Sequence, residues 1–172
     1  MIAYLLLVAL VAAERLAELA VTSANLAWAR RHGGVEYGRG HYPWMVLAHA
    51  GLLVAAPLEV WLLHRPFIPA LGWPMLAVVL AAQALRWWCV ATLGRRWNTR
   101  VVVIPGLPLV RHGPYRWLRH PNYLAVAAEG VALPLVHTAW LTAIGFTVAN
   151  AVLLWVRIRV EDRALGRRPA AP

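Results

Sequence analysis

Long apolar segments recur along this chain, and they constrain its fold more than any other feature. A helix needs roughly 20 mostly apolar residues to cross the hydrocarbon core of a bilayer. Because no water in that core can satisfy backbone N–H and C=O groups, such segments must form helices. The spans are expected at approximately 2–29, 42–63, 71–93, 121–136 and 139–156. The sequence therefore predicts an all-α integral membrane protein with about five transmembrane helices in one domain, residues 1–172.

The composition supports this class and excludes others. Hydrophobic residues make up 61% of the chain, and 17 basic against 7 acidic residues give a formal net charge of +10. With so much apolar sequence, the positive charge is best assigned to anionic lipid headgroups rather than to nucleic acid. The histidines do not occur at ligand spacings such as H-x-x-x-H, and Cys89 is the single cysteine. No metal site is predicted.

Ionisable side chains interrupt two of the predicted spans and require partners. The polar face of the first span consists of Glu14, Glu18, Thr22 and Asn25. This face should point into the helix bundle with Arg15 as a neutralising neighbour, because charged groups in spans rarely face lipid. Arg86 in the third span is expected to pair with Glu14 or Glu18. Helix–helix adhesion and a substrate contact both remain open for this face.

The long connection between the third and fourth spans, residues 94–120, indicates a function. Its segment VVVIPGLP at 101–108 predicts a strand followed by a turn, with backbone groups free to line a small-molecule pocket. The loop 30–41, expected to be flexible, has three arginines, the long connection has six, and the C-terminal segment has five. The opposite side has only Arg65, so the positive-inside rule places the N-terminus outside and the connection and C-terminus in the cytoplasm. The last residues, 167–172, are expected to be a disordered polar tail.

One stretch gathers the polar residues beside the fourth span: it reads RHGPYRWLRHPNYLAVAAE, at 111–129. Pro121 suits the first position of a helix, where its missing N–H is not needed. The arginines alone would be explained by a basic membrane anchor. An anchor does not explain the two prolines, Pro114 and Pro121, or the carboxylate of Glu129 two turns into the apolar segment.

Within this stretch, GPYRWLRHPNY at 113–123 resembles the motif of the isoprenylcysteine carboxyl methyltransferase family of integral membrane enzymes. In that family Gly-x-Tyr is followed by Arg-His-Pro-x-Tyr. A second family signature, an arginine followed by an acidic pair and a leucine, is similar to Arg157, Glu161, Asp162 and Leu165. The two signatures occur in the order and at the separation found in the family. Without the extra N-terminal spans of the eukaryotic enzymes, the chain resembles the short prokaryotic branch.

The resemblance implies a methyl transfer from S-adenosyl-L-methionine, with the cofactor-site segments at 94–123 and 157–165. Arg157 matches the substrate-binding arginine and is assigned a catalytic role together with Glu129. Glu129 would act as a substrate-side acid or base, or else pair structurally with Arg119 or Arg86. The implied cofactor-binding residues are Arg100, Leu107, Val110, Tyr115, His120, Pro121, Asn122, Tyr123 and Glu161, with Arg100 standing where the eukaryotic enzymes have a glutamine.

The resemblance further implies an O-methyltransferase for a lipophilic acid or enol in the bacterial inner membrane. The acceptor would be an isoprenylcysteine-like or prenylated carboxylate, or an alkylpyrone-like or alkylresorcinol-like polyketide, as for short members of the family. Two other hypotheses remain. One is an NADPH-dependent membrane sterol or enone reductase, with arginines near 95–119 holding the 2′-phosphate. The other is a non-enzymatic membrane adaptor. The acceptor and the oligomeric state are not predicted.

Overall fold

Five α-helices build most of the chain in a computed structural model that describes residues 1–166. The tail at 167–172, predicted to be disordered, lies outside the described residues. The helices are α1 (Ile2–Arg31), α2 (Tyr42–Leu62), α3 (Pro69–Leu93), α4 (Pro121–Leu135) and α5 (Trp140–Ala164). This architecture agrees with the predicted all-helical class.

Within the described residues, three helical segments are long and apolar enough to cross a membrane: Arg39–Leu62, Pro69–Arg96 and Trp140–Ala164. The helix α1 has 30 residues but carries three charged side chains near its middle. The helix α4 has only 15 residues, about 22 Å at 1.5 Å per residue, which is shorter than the hydrocarbon core of ~30 Å. Five membrane crossings therefore stay a prediction.

The short helix α4 lies at the centre of the bundle, between α3 and α5. Ten of its residues are buried, including the whole side chain of Leu133. Gly130 allows α5 to come close, because the ring of Phe146 occupies the space that a Cβ would need. The hydroxyl of Tyr4 on α1 donates to the carbonyl of Leu133 at 3.2 Å. This packing fixes the position of α4, the helix whose first turn carries Asn122 and Tyr123 of the motif.

A two-stranded antiparallel sheet ties the loops together at one end of the bundle. The strand β1 (Val35–Tyr37) pairs with β2 (Val101–Val103), with Val35 opposite Val103. The extended conformation predicted at the start of 101–108 is present in β2. The loop 30–41 was expected to be flexible, and this was wrong, because β1 and a 3-10 turn at Arg39–His41 order it.

The polar face of α1 points into the bundle, as predicted, and it holds the long connection in place. The Asn25 amide donates to the carbonyls of Gly94, at 3.2 Å, and Trp97, at 2.8 Å. The backbone N–H of Thr99 donates to the hydroxyl of Thr22 at 3.3 Å. These bonds satisfy buried polar groups and fix the first residues of the connection, which begin the candidate site.

Candidate active site

A cavity of about 110 Å³ opens at the loop end of the bundle, between the long connection, the start of α4 and the end of α5. We call it the first cavity. Seven of the residues predicted to form the site line it: Arg100, Tyr115, His120, Asn122, Tyr123, Arg157 and Glu161. The structure therefore brings together side chains from the connection and from both sequence signatures.

A second cavity of about 180 Å³ adjoins the first, and the two share Tyr115 and Glu161 in their walls. Leu107 and Val110, the remaining predicted residues of the connection, line the second cavity. Together the two cavities form an elongated space suited to a cofactor with several polar parts. Within residues 1–166, no group of three or more His, Cys, Asp and Glu side chains is close enough to hold a metal ion.

Glycine and proline set the backbone of the motif. Gly113 has φ +57°, and the side chain of Thr92 on α3 fills the space where a Cβ would lie. A side chain is therefore excluded at this position on both grounds. Pro121 is buried as the first residue of α4, and it lines none of the cavities. Its place in the structure is to start the helix that carries Asn122 and Tyr123.

Tyr123 connects the two residues assigned to substrate and cofactor. Its hydroxyl donates to the carboxylate of Glu161 and accepts a hydrogen bond from Nε of Arg157 at 2.8 Å. Tyr123 is 8% exposed and Arg157 is 6% exposed, so this link is shielded from water. One hydroxyl therefore joins a buried cation to a carboxylate at the cavity wall.

Arg157 has unused hydrogen-bonding capacity. A guanidinium has five N–H donors. Nε binds Tyr123, and Nη1 lies 3.3 Å from the sulfur of Met45, a weak acceptor. No carboxylate among residues 1–166 forms an ion pair with Arg157. Because an unpaired buried charge is costly, this cation is suited to binding an anionic ligand.

His120 joins the two sequence signatures directly. Its ring stacks on Tyr123, with 5.1 Å between ring centres. Its Nδ1 lies 3.7 Å from Glu161 Oε1, and its Nε2 lies 3.3 Å from Asp162 Oδ1. The last residue before α4 is thus held against the acidic pair near the end of α5.

Tyr115 and Arg100, two polar residues of the long connection, differ in what they can offer a ligand. Burial raises the pKa of the Tyr115 hydroxyl above its ordinary value, so this residue is a neutral hydrogen-bond donor at any physiological pH. A hydrogen bond with Glu36, 2.8 Å from Nη1, raises the pKa of Arg100. The Arg100 guanidinium also lies over the ring of Tyr42, 4.4 Å from its centre. The guanidinium of Arg100 is thus already paired with a carboxylate and a ring of the protein itself.

A third cavity of about 350 Å³ lies deeper in the bundle, between α1, α2, α4 and α5. Its lining is mostly apolar. Trp97, Asn122, Tyr123 and Arg157 line both this cavity and the first. Nε1 of Trp97 and Oδ1 of Asn122 have no hydrogen-bond partner among residues 1–166. Unpaired buried polar atoms are rare in proteins, so their presence in the shared wall points to a ligand.

Glu129 lies apart from this arrangement, since it lines none of the three cavities. Its carboxylate accepts a hydrogen bond from Arg15 at 3.2 Å. Sequence reasoning named Arg119 or Arg86 as the structural partner; Arg86 interacts with this carboxylate electrostatically, but the hydrogen-bonded partner is Arg15. Arg119 is exposed ahead of α4, and Arg86 forms its ion pair with Glu18 instead, one of the two partners predicted for it.

Sequence reasoning did not include Met45 and Asn98 in the site. Met45 contacts Arg157, and Asn98 lines both the first and the second cavity. Met45 is one apolar residue among many in its helix, and Asn98 stands alone in the connection. Neither belongs to a motif, so no local signal distinguishes it.

The fold and the site together define an integral membrane methyltransferase. The chain belongs to the isoprenylcysteine carboxyl methyltransferase (ICMT) family, whose model matches residues 75–167. The family predicted from the two signatures is thereby confirmed, together with the all-helical membrane class. Enzymes of this family use S-adenosylmethionine as methyl donor and act on lipophilic substrates, so this chain is a methyltransferase rather than a reductase or an adaptor.

Similar proteins include two bacterial chains of nearly the same length. The uncharacterized protein YpbQ of Bacillus subtilis (strain 168) is 40% identical over 161 residues, which covers 93% of this chain and 95% of that protein. An uncharacterized protein of Haemophilus influenzae (strain ATCC 51907 / DSM 11121 / KW20 / Rd) is 26% identical over 157 residues, covering 86% and 90%.

A solved structure of the eukaryotic intramembrane Ras methyltransferase ICMT matches with a TM-score of 0.54 and 25% identity. The match covers 74% of this chain but only 46% of the eukaryotic one. The action on Ras belongs to that protein.

Proposed function

We propose that this chain transfers a methyl group from S-adenosylmethionine to an oxygen of a lipophilic acid or enol, at the wall shared by the first and third cavities. Four residues line both sides of that wall: Trp97, Asn122, Tyr123 and Arg157. This wall is the observation that carries the proposal. A cofactor from water and an acceptor from the membrane can react only where their compartments adjoin.

On the cofactor side, the first and second cavities offer complementary groups. Glu161 would bind the ammonium or a ribose hydroxyl of the cofactor, and the neutral hydroxyl of Tyr115 would donate to it. The backbone near Leu107 and Val110 would line its far end, in the second cavity. Bound S-adenosylmethionine supplies a methyl group that is already activated on a sulfonium. The chain therefore has to bind and orient its two ligands, and it needs no metal.

On the acceptor side, Arg157 would hold the reacting oxygen. Its planar fork of donors suits a carboxylate or an enolate, and its remaining donors are free for that purpose. A carboxylate or an acidic enol is already a nucleophile near neutral pH, so the site requires no strong general base. The mostly apolar third cavity, about 350 Å³, would accept the alkyl or prenyl part.

An isoprenylcysteine-like carboxylate and an alkylpyrone-like acidic enol are compatible with these features. An alkylresorcinol-like polyketide would in addition have to pass its phenolic proton to a base. We further propose that the protein lies in a bacterial inner membrane with its N-terminus outside and its active site in the cytoplasm. The arginine-rich loops at the cavity end of the bundle support this orientation.

The test measures ligand binding and methyl transfer separately. Calorimetry on detergent-purified protein should show saturable binding of S-adenosylhomocysteine and none of NADPH. The Glu161→Ala variant should weaken that binding by about tenfold or more, since a hydrogen bond to a charged group contributes roughly 1.5–3 kcal/mol. Labelled methyl transfer should then be assayed with an isoprenylcysteine analogue, an alkylpyrone and an alkylresorcinol. Binding of NADPH in place of S-adenosylhomocysteine would refute the proposal.

A further inference from the structure

The cofactor proposed for the first and second cavities ends in an α-amino acid, which carries an ammonium and a carboxylate on one carbon atom. Glu161 lines both cavities and supplies the negative charge that an ammonium needs. The carboxylate needs a cation, because a charge that leaves water without a partner is costly. That cation must lie near Glu161, since the two charges of the cofactor are joined to the same atom.

Five arginines line the first cavity, the second cavity or both: Arg95, Arg96, Arg100, Arg119 and Arg157. Three of them are unsuited to this carboxylate. Arg95 lines the second cavity but not the first, and Arg157 lines the first but not the second. Arg100 lines the first cavity alone, and its Nη1 is already paired with Glu36 at 2.8 Å. Two candidates for the carboxylate therefore remain.

Arg96 and Arg119 both line the two cavities, as Glu161 does. Arg96 is held in place by the protein, because its Nη1 donates to the carbonyl oxygen of Pro108 at 2.7 Å. Arg119 has no hydrogen bond or ion pair to any of residues 1–166, so a ligand would have to immobilise its side chain. A cation that is already fixed loses less conformational entropy when a ligand binds, and this favours Arg96.

The bond to Pro108 leaves most of the Arg96 guanidinium free. A guanidinium has five N–H donors, and within residues 1–166 Arg96 uses one of them. No carboxylate in this range forms an ion pair with Arg96. Its planar fork can therefore bind both oxygens of a carboxylate. Because Pro108 lines the second cavity, the bond also fixes the cation relative to the wall of that cavity.

We propose that Arg96 binds the carboxylate at the amino-acid end of S-adenosylmethionine, beside the Glu161 side chain that binds its ammonium. The inference rests on the proposed function, because it assigns a residue to the same cofactor. Arg96 lies in the 3-10 turn Gly94–Arg96 that follows α3, ahead of both sequence signatures. The site should therefore discriminate between cofactor analogues with and without this carboxylate.

The experiment compares S-adenosylhomocysteine with its decarboxylated analogue, which keeps the amine and lacks the carboxylate. Calorimetry on the full-length protein in one detergent should show at least about fivefold tighter binding of S-adenosylhomocysteine. Charge-assisted hydrogen bonds are strong, but the exposure of Arg96 to solvent weakens them. The Arg96→Gln variant should lose this preference while its affinity for the analogue stays that of the wild type. Arg111→Gln removes an exposed charge from the same connection but lines none of the three cavities, so it should keep the preference.

A purely structural bond between Arg96 and Pro108 predicts a different result. Arg96→Gln would then weaken both ligands equally, and an unchanged ratio of the two affinities would overturn the inference. If Arg96→Gln does not fold, Arg119→Gln decides: an unchanged preference supports Arg96, and a lost preference assigns the carboxylate to Arg119 instead. Binding of S-adenosylhomocysteine to the wild type without any preference would reject this inference alone. Absence of that binding would reject the proposed function together with it.

Discussion

The hydroxyl of Tyr123 offers the sharpest test of how the site is held together, because it contacts both Arg157 and Glu161. The Tyr123→Phe variant keeps the ring, its stacking on His120 and its packing in the core. It removes one acceptor from a buried guanidinium and one donor from a carboxylate. Leaving a buried charged donor unsatisfied costs about 1–3 kcal/mol, which corresponds to roughly 5-fold to 150-fold.

Tyr123→Phe should affect the acceptor more than the cofactor. Arg157 is 6% exposed and cannot replace the lost partner with bulk water, whereas the Glu161 side chain is 27% exposed and can. We therefore expect kcat/KM for the acceptor to fall about 10-fold to 100-fold, and the affinity for S-adenosylhomocysteine to fall less than about fivefold. Labelled methyl transfer and calorimetry measure the two quantities on one protein preparation.

A double-mutant cycle isolates the link itself. If Tyr123 couples Arg157 to Glu161, the free-energy effects of Tyr123→Phe and Glu161→Gln on kcat/KM should deviate from additivity by at least about 0.5 kcal/mol. Tyr37→Phe, on an exposed strand residue outside the cavities, is the matched control and should behave as wild type. Wild-type kcat/KM in Tyr123→Phe, or strictly additive effects in the cycle, would refute the reasoning.

The remaining predictions concern Arg157 and Glu129. Arg157→Ala should lower methyl transfer at least about 100-fold and the affinity for S-adenosylhomocysteine much less, since Arg157 is proposed to hold the acceptor and is linked to the cofactor-binding Glu161 only through Tyr123. Arg163→Ala, an exposed change further along α5, is the control. Retained turnover would remove Arg157 from the acceptor site. Glu129→Gln should lower the thermal midpoint by several degrees, because it weakens a buried ion pair with Arg15, and leave S-adenosylhomocysteine binding unchanged. Selective loss of methyl transfer at unchanged stability would instead support a catalytic Glu129.

Sequence reasoning recovered the parts of the fold that depend on local pattern. The apolar segments indicated helices because their length and composition are properties of the chain itself. The motif at 113–123 and the residues Arg157 and Glu161 could be singled out because they resemble two signatures of one family, and because a basic membrane anchor would not explain the two prolines of the motif. The structure places Tyr123 of the first signature in contact with both Arg157 and Glu161 of the second.

The predictions that were wrong concern features that depend on packing between distant segments of the chain. Arg15 and Glu129 are separated by 114 positions, and nothing in either helix indicates that their faces meet. The strand β1 has three residues and is stable only through its pairing with β2, so its own sequence resembles a loop. His49 lies within an apolar segment, and only the structure shows that it is hydrogen-bonded to Met45 and lines the third cavity.

The residues that line the first and third cavities come mostly from different parts of the chain. Every residue lining the first cavity lies within 75–167, the part that the family model matches. By contrast, 11 of the 19 residues lining the third cavity come from α1 and α2, ahead of that part. If the first cavity binds the methyl donor and the third cavity the acceptor, as proposed, most residues that contact the acceptor come from the part of the chain ahead of those that line the first cavity. On this assignment, mutations at the α1 and α2 residues that line only the third cavity, such as Leu16 and Val46, would change the acceptor without altering the residues proposed to bind the methyl donor.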